Sequence, residues 1–276
     1  MTKKRVIDLV KGHLLLVVLS FFCSTALAET RHGLFVGVNE YGQRLTSLSG
    51  CVIDATEMRG ACLRNGGWSS TNTVRLVDSS ATLTAVRTTF GNLAKAAKSG
   101  DTVLYYQSSH GGSEEDAGGN PTKDACICLY DDDYTDVAFA EDLSAFRDGV
   151  RVIVILDTCH SGGMFKGAKG AKAVRPAWNF VQLVQKRLAE RKRQAKGASG
   201  PSVGWITAAD YDEYSWDGRY GAVFTSEFLD GWHSGDADAD GDGKLSFFEL
   251  YDYAKDVAID DGTEAQCDNE DLLKAT

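Results

Sequence analysis

Proline is scarce in this 276-residue chain. Only Pro121, Pro176 and Pro201 occur, which excludes collagen-like and proline-rich classes. Seven cysteines are too few for a disulfide-dense scaffold at this length. Positive charge is in deficit, with 29 Lys and Arg against 39 Asp and Glu and a formal net charge of -10. That balance argues against nucleic acid as the main partner. No unbroken apolar run approaches the ~20 residues that span a bilayer, and no internal repeat is visible. What is present, 43% hydrophobic and 25% charged residues, can build a sizeable core in one large α/β domain or two small ones.

Residues 1–28 read as a secretory signal peptide rather than as structure. Lys3, Lys4 and Arg5 form a positive start, Leu14 to Phe22 an apolar centre, and Ala26-Leu27-Ala28 a small-residue cleavage site. Cleavage after Ala28 predicts a periplasmic or secreted protein with no stable membrane insertion. Export would put Cys51, Cys62, Cys126, Cys128, Cys159 and Cys267 in an oxidising compartment. Six thiols permit three disulfides, whereas a reduced nucleophile would leave an odd number. Cys126 and Cys128 are two apart in a strand-like run, so they point to one face rather than at each other.

From Arg31 onward, short apolar runs alternate with amphipathic ones. Leu34 to Val38, Val74 to Val77, Val103 to Gln107, Val150 to Leu156 and Val203 to Thr207 read as strands. The stretch from Gly50 to Arg64 reads as a helix, and Leu83, Val86, Phe90, Leu93 and Ala97 mark one face of another. Val150 to Leu156 is nearly continuous β-branched sequence, as a central parallel strand buried on both faces requires. The class is therefore α/β, a mostly parallel sheet flanked by helices. Two stretches break the rhythm. Residues 111–125 are rich in Gly, Glu and Asp, and residues 166–202 carry ten cations with Glu190 as the only acid. The second reads as a basic linker, with an amphipathic helix over 178–195.

The third strand runs into Ser108-Ser109-His110-Gly111-Gly112 and the fourth into Asp157-Thr158-Cys159-His160-Ser161-Gly162-Gly163. Both segments sit at carboxyl ends of parallel strands, where open α/β sheets place their ligand crevice. A thiol on one tip and an imidazole on the next are the parts of a nucleophile and its acid/base. Adjacent glycines allow a peptide backbone to approach and leave N–H groups for an oxyanion. His160 neighbours the nucleophile, so in extended chain it points away and is not the base. Asp54, just inside the first helix, lies on the same rim as Ser108 and Asp157. Carboxylates beside a thiol weaken it unless a cation comes between them, and a substrate Arg or Lys would be that cation.

The pair S-x-H-G and D-x-C-H-S-G, with 49 residues between His110 and Cys159, resembles the caspase-like cysteine peptidases, specifically the metacaspases and their bacterial relatives, the orthocaspases. Ser109 stands where metacaspases usually have Gly. The resemblance implies a caspase-like fold with a catalytic part over 29–165, a linker over 166–202 and a small-subunit-like part over 203–276. It implies peptide cleavage with Cys159 as nucleophile, His110 as acid/base, and the backbone N–H groups of Gly111 and Cys159 as oxyanion hole. Cys51, Asp54, Ser108 and Asp157 match the family's pocket for a basic P1 residue, so the expected substrates are proteins or peptides cut after Arg or Lys. Relatives that mature by autoprocessing suggest Arg187, Arg193 and Lys196 as self-cleavage sites.

Asp238 to Glu249 fits the D-x-D-x-D-G-x5-E loop at every constrained position. Asp238, Asp240, Asp242, Ser246 and Glu249, with the carbonyl of Lys244, supply the hard oxygens of an EF-hand-like Ca²⁺ site. One loop alone predicts a structural ion that pins the helix beginning at Ser246, not a paired-loop sensor. By resemblance, Asp124, Glu141 and Asp142 fall where some metacaspases hold a second calcium, but Lys166 stands in place of a further acid. The residues leave two other readings open: a catalytically silent, calcium-stabilised binding module, and another cysteine hydrolase such as an amidase.

Overall fold

Five parallel strands, each from a short apolar run, form the spine of the molecule. The computed structural model describes residues 29–115, 121–159, 177–194, 200–208, 217–218, 221–260 and 265–276. In chain order these form β1 (Arg31–Gly37), α1 (Cys51–Asn65), β2 (Thr73–Val77), α2 (Leu83–Ala96), β3 (Thr102–Glu115), β4 (Pro121–Cys128) and β5 (Asp133–Thr135). There follow α3 (Asp136–Leu143), β6 (Arg151–Cys159), α4 (Ala177–Gln194), β7 (Ser202–Thr207), β8 (Asp217–Gly218) and β9 (Gly221–Ala222). The chain closes with α5 (Val223–Ser234), α6 (Phe247–Asp260), β10 (Gln266–Asp268) and α7 (Glu270–Lys274).

The main sheet has the order β10-β7-β6-β3-β1-β2. Its inner pairs are all parallel, and β10 joins antiparallel at one edge. Alternation along each strand splits the core in two. Leu34, Val36, Val103, Tyr105, Val152, Val154 and Trp205 pack with α2, α3 and α4 on one side. Phe35, Leu104, Tyr106, Ile153, Ile155 and Ile206 pack with α1, α5 and α6 on the other. β1, β3, β6 and β7 are thus apolar on both faces along the core, which is why they lack a polar stripe. α2 starts where Thr82 caps it by accepting from the Ala85 N–H, and it buries Val86, Phe90, Leu93 and Ala94.

One expectation needs correction. The third strand does not stop at Gln107. Its Gly-rich continuation leaves the parallel sheet and pairs antiparallel with β4, Gly111 standing opposite Ile127. The described part of the expected basic linker is α4, which contributes Phe180, Val181 and Val184 to the core. Lys186, Arg191, Lys192 and Arg193 lie on its exposed side, while Arg187 turns to the buried Asp136, so the amphipathic helix expected over 178–195 packs against the sheet.

Candidate active site

β3 and β6 bring the two reactive segments together. Their parallel register sets Ser108 opposite Asp157, Ser109 opposite Thr158 and His110 opposite Cys159. Above the tip of β3, the chain after β1 folds back over His110. Tyr41 stacks on the imidazole with ring centroids 5.0 Å apart. The Tyr41 hydroxyl accepts from the His110 N–H at 2.8 Å and donates to the Val38 carbonyl at 2.9 Å. His110 Nε2 lies 2.9 Å from the Thr46 carbonyl. A carbonyl can only accept, so in the neutral ring Nε2 carries the proton and Nδ1 is the basic nitrogen. Ser109 fits without strain on this pattern: fully buried, it donates to the His110 carbonyl and accepts from Gln107 Nε2.

Two register steps below, two buried carboxylates converge on Ser108 and Tyr106. Ser108 Oγ donates to Asp54 Oδ2 at 2.8 Å, and the Ala222 N–H donates to Asp54 Oδ1 at 3.1 Å. Asp157 Oδ2 accepts from Thr225 Oγ1 at 2.6 Å and from the Thr225 N–H at 3.2 Å. Asp157 therefore caps the start of α5 from a different strand, where the helix dipole favours an anion. Thr225 Oγ1 has given its proton to Asp157, so at 2.7 Å it accepts from the Tyr106 hydroxyl. Burial, and then the charges of Asp54 and Asp157, push the Tyr106 hydroxyl far above the ordinary tyrosine range and keep it a donor. Cys51, the first residue of α1, is buried beside them.

Backbone closeness sets this pocket. A Cβ on Gly37 would stand 2.2 Å from the Cys51 carbonyl, so glycine at the end of β1 lets α1 begin against the sheet. Gly221, at φ +123°, brings its backbone where a Cβ would sit 2.5 Å from Asp54 Oδ1. All four pocket residues expected from the sequence thus gather in one place. Tyr41, Tyr106, Gly221, Ala222 and Thr225 were not anticipated. No sequence signal marks the last three, because their partners lie in distant elements.

Carboxylate oxygens of Asp238, Asp240 and Asp242 lie within 4.8 Å of one another. They accept the loop's own amides: Asp238 from Gly241, Asp242 and Gly243, Asp240 from Asp242, and Asp242 from Lys244. Glu249 Oε2 accepts from the Ser246 N–H and hydroxyl, while Ser246 Oγ accepts from the Glu249 N–H, a reciprocal cap for α6. This donor set, all hard oxygen around a turn at Gly243 (φ +78°), suits a calcium-sized cation.

Glu141 and Asp142, which by resemblance fall where some metacaspases hold a second calcium, are engaged by a guanidinium in this structure. Arg87 binds Asp142 through Nε at 2.7 Å and Nη2 at 2.9 Å and reaches Glu141 at 3.3 Å. Tyr134 donates to the same Asp142 oxygen as Nε. A guanidinium already neutralises that pair. Arg187 sits inside α4 with its guanidinium on the fully buried Asp136. Residues 1–28, His160, Lys166 and Lys196 lie outside the described residues, as do the side chains of Asp124 and Cys159. Among the described residues, Cys62, Cys126, Cys128 and Cys267 are free thiols, and no helix is long and apolar enough to cross a membrane.

Residues 30–258 match the sequence family described as Caspase domain, Peptidase_C14. Metacaspase-4 of Arabidopsis thaliana is 30% identical over 158 residues, which cover 51% of this chain and 35% of that protein. Metacaspase-1 of Botryotinia fuckeliana is 29% identical over 145 residues, 48% of this chain and 34% of that protein. The matched part is thus about a third of the length of these curated relatives. The crystal structure of protein GSU0716 from Geobacter sulfurreducens superposes with a TM-score of 0.64 at 23% identity, over 89% of this chain and 97% of that one. That likeness is one of fold.

Proposed function

The chain belongs to the caspase-domain family, and on that premise we propose that it is a cysteine endopeptidase that cleaves peptide bonds after Arg or Lys. One observation carries the specificity. Asp157 and Asp54 are both buried, Asp157 two register steps below His110 and Asp54 on α1 with Ser108 bonded to it. A substrate guanidinium entering beside these two carboxylates meets complementary charge and can bond them in bidentate form. A caspase-type acidic P1 residue would meet two like charges there and is disfavoured.

The chemistry follows from the strand tips. Strand alternation that sets Asp157 beside Ser108 applies equally two residues on, to Cys159 and His110. Nδ1 of His110 takes the thiol proton as the sulfur attacks the scissile carbonyl carbon. The carbonyl π electrons move to oxygen, and the N–H groups of Gly111 and Cys159 receive the oxyanion. His110 then protonates the leaving amine, the C–N bond breaks and an acyl-enzyme remains. Water, deprotonated by the same nitrogen, releases the acid and restores the thiol. The Thr46 carbonyl stabilises the imidazolium formed in between.

The loop from Asp238 to Glu249 is read as a structural Ca²⁺ site, its ligands Asp238, Asp240, Asp242, Ser246, Glu249 and the Lys244 carbonyl. Bound calcium would supply charge neutralisation between α5 and α6 and takes no part in peptide cleavage. Export through residues 1–28 is part of the same proposal, tested by immunoblotting of cell fractions. Arg193, exposed in the last turn of α4, remains a self-cleavage site proposed within the described residues.

Hydrolysis of reporters ending in Arg, Lys or Asp, by the parent and Cys159→Ala proteins, tests the function. Turnover of the basic reporters by the parent alone is expected. Turnover only of the Asp reporter would refute the specificity, and equal turnover by both proteins would refute the nucleophile.

A further inference from the structure

A second cluster of reactive side chains lies behind the strand that carries His110. β4 runs antiparallel to the outer part of β3, with Cys126 opposite Gly112, and β5 adds to its far side with Asp133 opposite Cys128. Alternation puts Cys126 and Cys128 on one face. Both are 3% exposed. Their sulfurs and a carboxylate oxygen of Asp133 all lie within 4.8 Å of one another. We propose that Cys126, Cys128 and Asp133 form a binding site for a thiophilic divalent cation, Zn²⁺, with the fourth position open to water.

Geometry favours a metal over a disulfide. Residues two apart in a strand have Cα atoms about 6.4–6.8 Å apart. That is the outer limit for a disulfide, whose usual separation is about 5.5–6 Å. A tetrahedral zinc with Zn–S near ~2.3 Å and Zn–O near ~2.1 Å instead sets its ligand atoms roughly 3.5–3.8 Å apart. The observed ligand atoms, all within 4.8 Å of one another, lie close to that spacing.

Charge gives the second argument. Two thiolates and Asp133 carry three negative charges. Zn²⁺ supplies two positive charges, and Arg44, whose Nη2 lies 2.7 Å from Asp133 Oδ1, supplies the third. A buried site that sums to zero avoids the penalty of an uncompensated charge. Arg44 also donates from Nη1 to the Leu129 carbonyl at 3.1 Å, so it orients Asp133 as an outer-shell partner does. The side chains of Arg44 and Asp133 are 34% and 31% exposed, which opens the site to solvent on their side. As the metal binds, each thiol releases its proton to solvent and forms one S–Zn bond; no oxidation state changes.

The site adjoins the catalytic row. Gln107 Nε2 donates to the Cys128 carbonyl at 3.3 Å and to Ser109 Oγ at 2.7 Å, and Ser109 bonds the His110 carbonyl. A metal there would brace the strand behind the histidine whether or not the protein is a peptidase.

The test uses the full chain with Cys159→Ala, to remove the proposed nucleophile, in saturating Ca²⁺, to occupy the carboxylate loop. Cd²⁺ is titrated in, and the sulfur-to-cadmium charge-transfer absorption is followed. One equivalent is expected to saturate the band, and Zn²⁺ to displace it. Cys126→Ser and Cys128→Ser should each abolish the full band, and Asp133→Asn should weaken binding at least ~10-fold. Absence of the band in the parent overturns the proposal, as does a band unchanged in the serine variants, which would belong to other thiols. If the serine variants fail to fold, the partly exposed Asp133→Asn decides, and unchanged affinity there overturns the three-ligand site.

Discussion

His110 and Cys159 are the last of nine register partners along the parallel ladder between β3 and β6. Every pair on that ladder, from Thr102 and Arg151 onward, differs by 49 residues. The sequence spacing between histidine and cysteine is therefore the register of the two strands. A slip of one residue would exchange their faces, so the apolar pattern that fixes the core also fixes the reactive pair. Ser108 and Asp157 inherit the same alignment two pairs below.

Tyr41 holds the histidine backbone and stacks on its ring. Tyr41→Phe keeps the stacking and removes the hydroxyl, leaving the His110 N–H and the Val38 carbonyl without that partner. Stopped assays should show kcat about 10-fold lower with KM little changed, and thermal unfolding a loss of about 1–3 kcal/mol. Unaltered kcat would mean that the hydroxyl does not position the base.

Gly221 touches Asp54 from a backbone conformation that side chains rarely adopt. Gly221→Ala should cost about 1–3 kcal/mol in stability, read from urea midpoints. Because the new methyl group displaces Asp54, KM for Arg reporters should rise more than kcat falls. A variant with parental stability and KM would contradict the proposed pocket wall.

The spine of the fold was legible because Val152 to Leu156 and its neighbours are buried on both sides and need no polar residues. Asp54, Ser108, Asp157 and His110 were legible because each sits at an element end that apolar periodicity locates. Thr225 and Ala222 were not. They reach Asp157 and Asp54 across 68 and 168 residues, and neither carries a local pattern. α4 was expected as an amphipathic helix, but how deeply it packs was hard to read. Ten cations dominate its segment, whereas Phe180, Val181 and Val184 are few but decide which face is buried.

Asp101 ties the starts of β1 and β3 by accepting from the Thr30 and Lys98 N–H groups at 3.0 and 2.8 Å. Burial alone would raise its pKa, but those donors and His32 outweigh burial and hold the carboxyl below its usual range. Its stabilisation is thus complete above the unfolded value of about 3.9 and is lost as pH falls through the lower folded value. Asp101→Asn should lose about 1–3 kcal/mol near neutrality, and the gap to the parent should close in urea titrations below about pH 4. A gap that stays constant into acid would contradict this assignment.

Calcium should raise the melting temperature through the loop that ends at Glu249. At a hundredfold excess over Kd the gain is about 2.7 kcal/mol, or roughly 5–10 °C for a domain of this size. Scanning calorimetry with calcium and with chelator should show that gap in the parent and not in Glu249→Gln. Equal melting temperatures in the parent would remove the structural-calcium reading.

The central claim is that Cys159 and His110 act together on a substrate with a basic P1 residue. Labelling by a peptide that ends in an arginyl ketone with a thiol-reactive leaving group, located by mass spectrometry, tests it most directly. One adduct on Cys159 is expected, slowed at least ~100-fold in His110→Ala (about 2.7 kcal/mol) and outcompeted by Arg but not Asp peptides. Label on another cysteine, or on Cys159 with no dependence on His110 or on the basic residue, would contradict it.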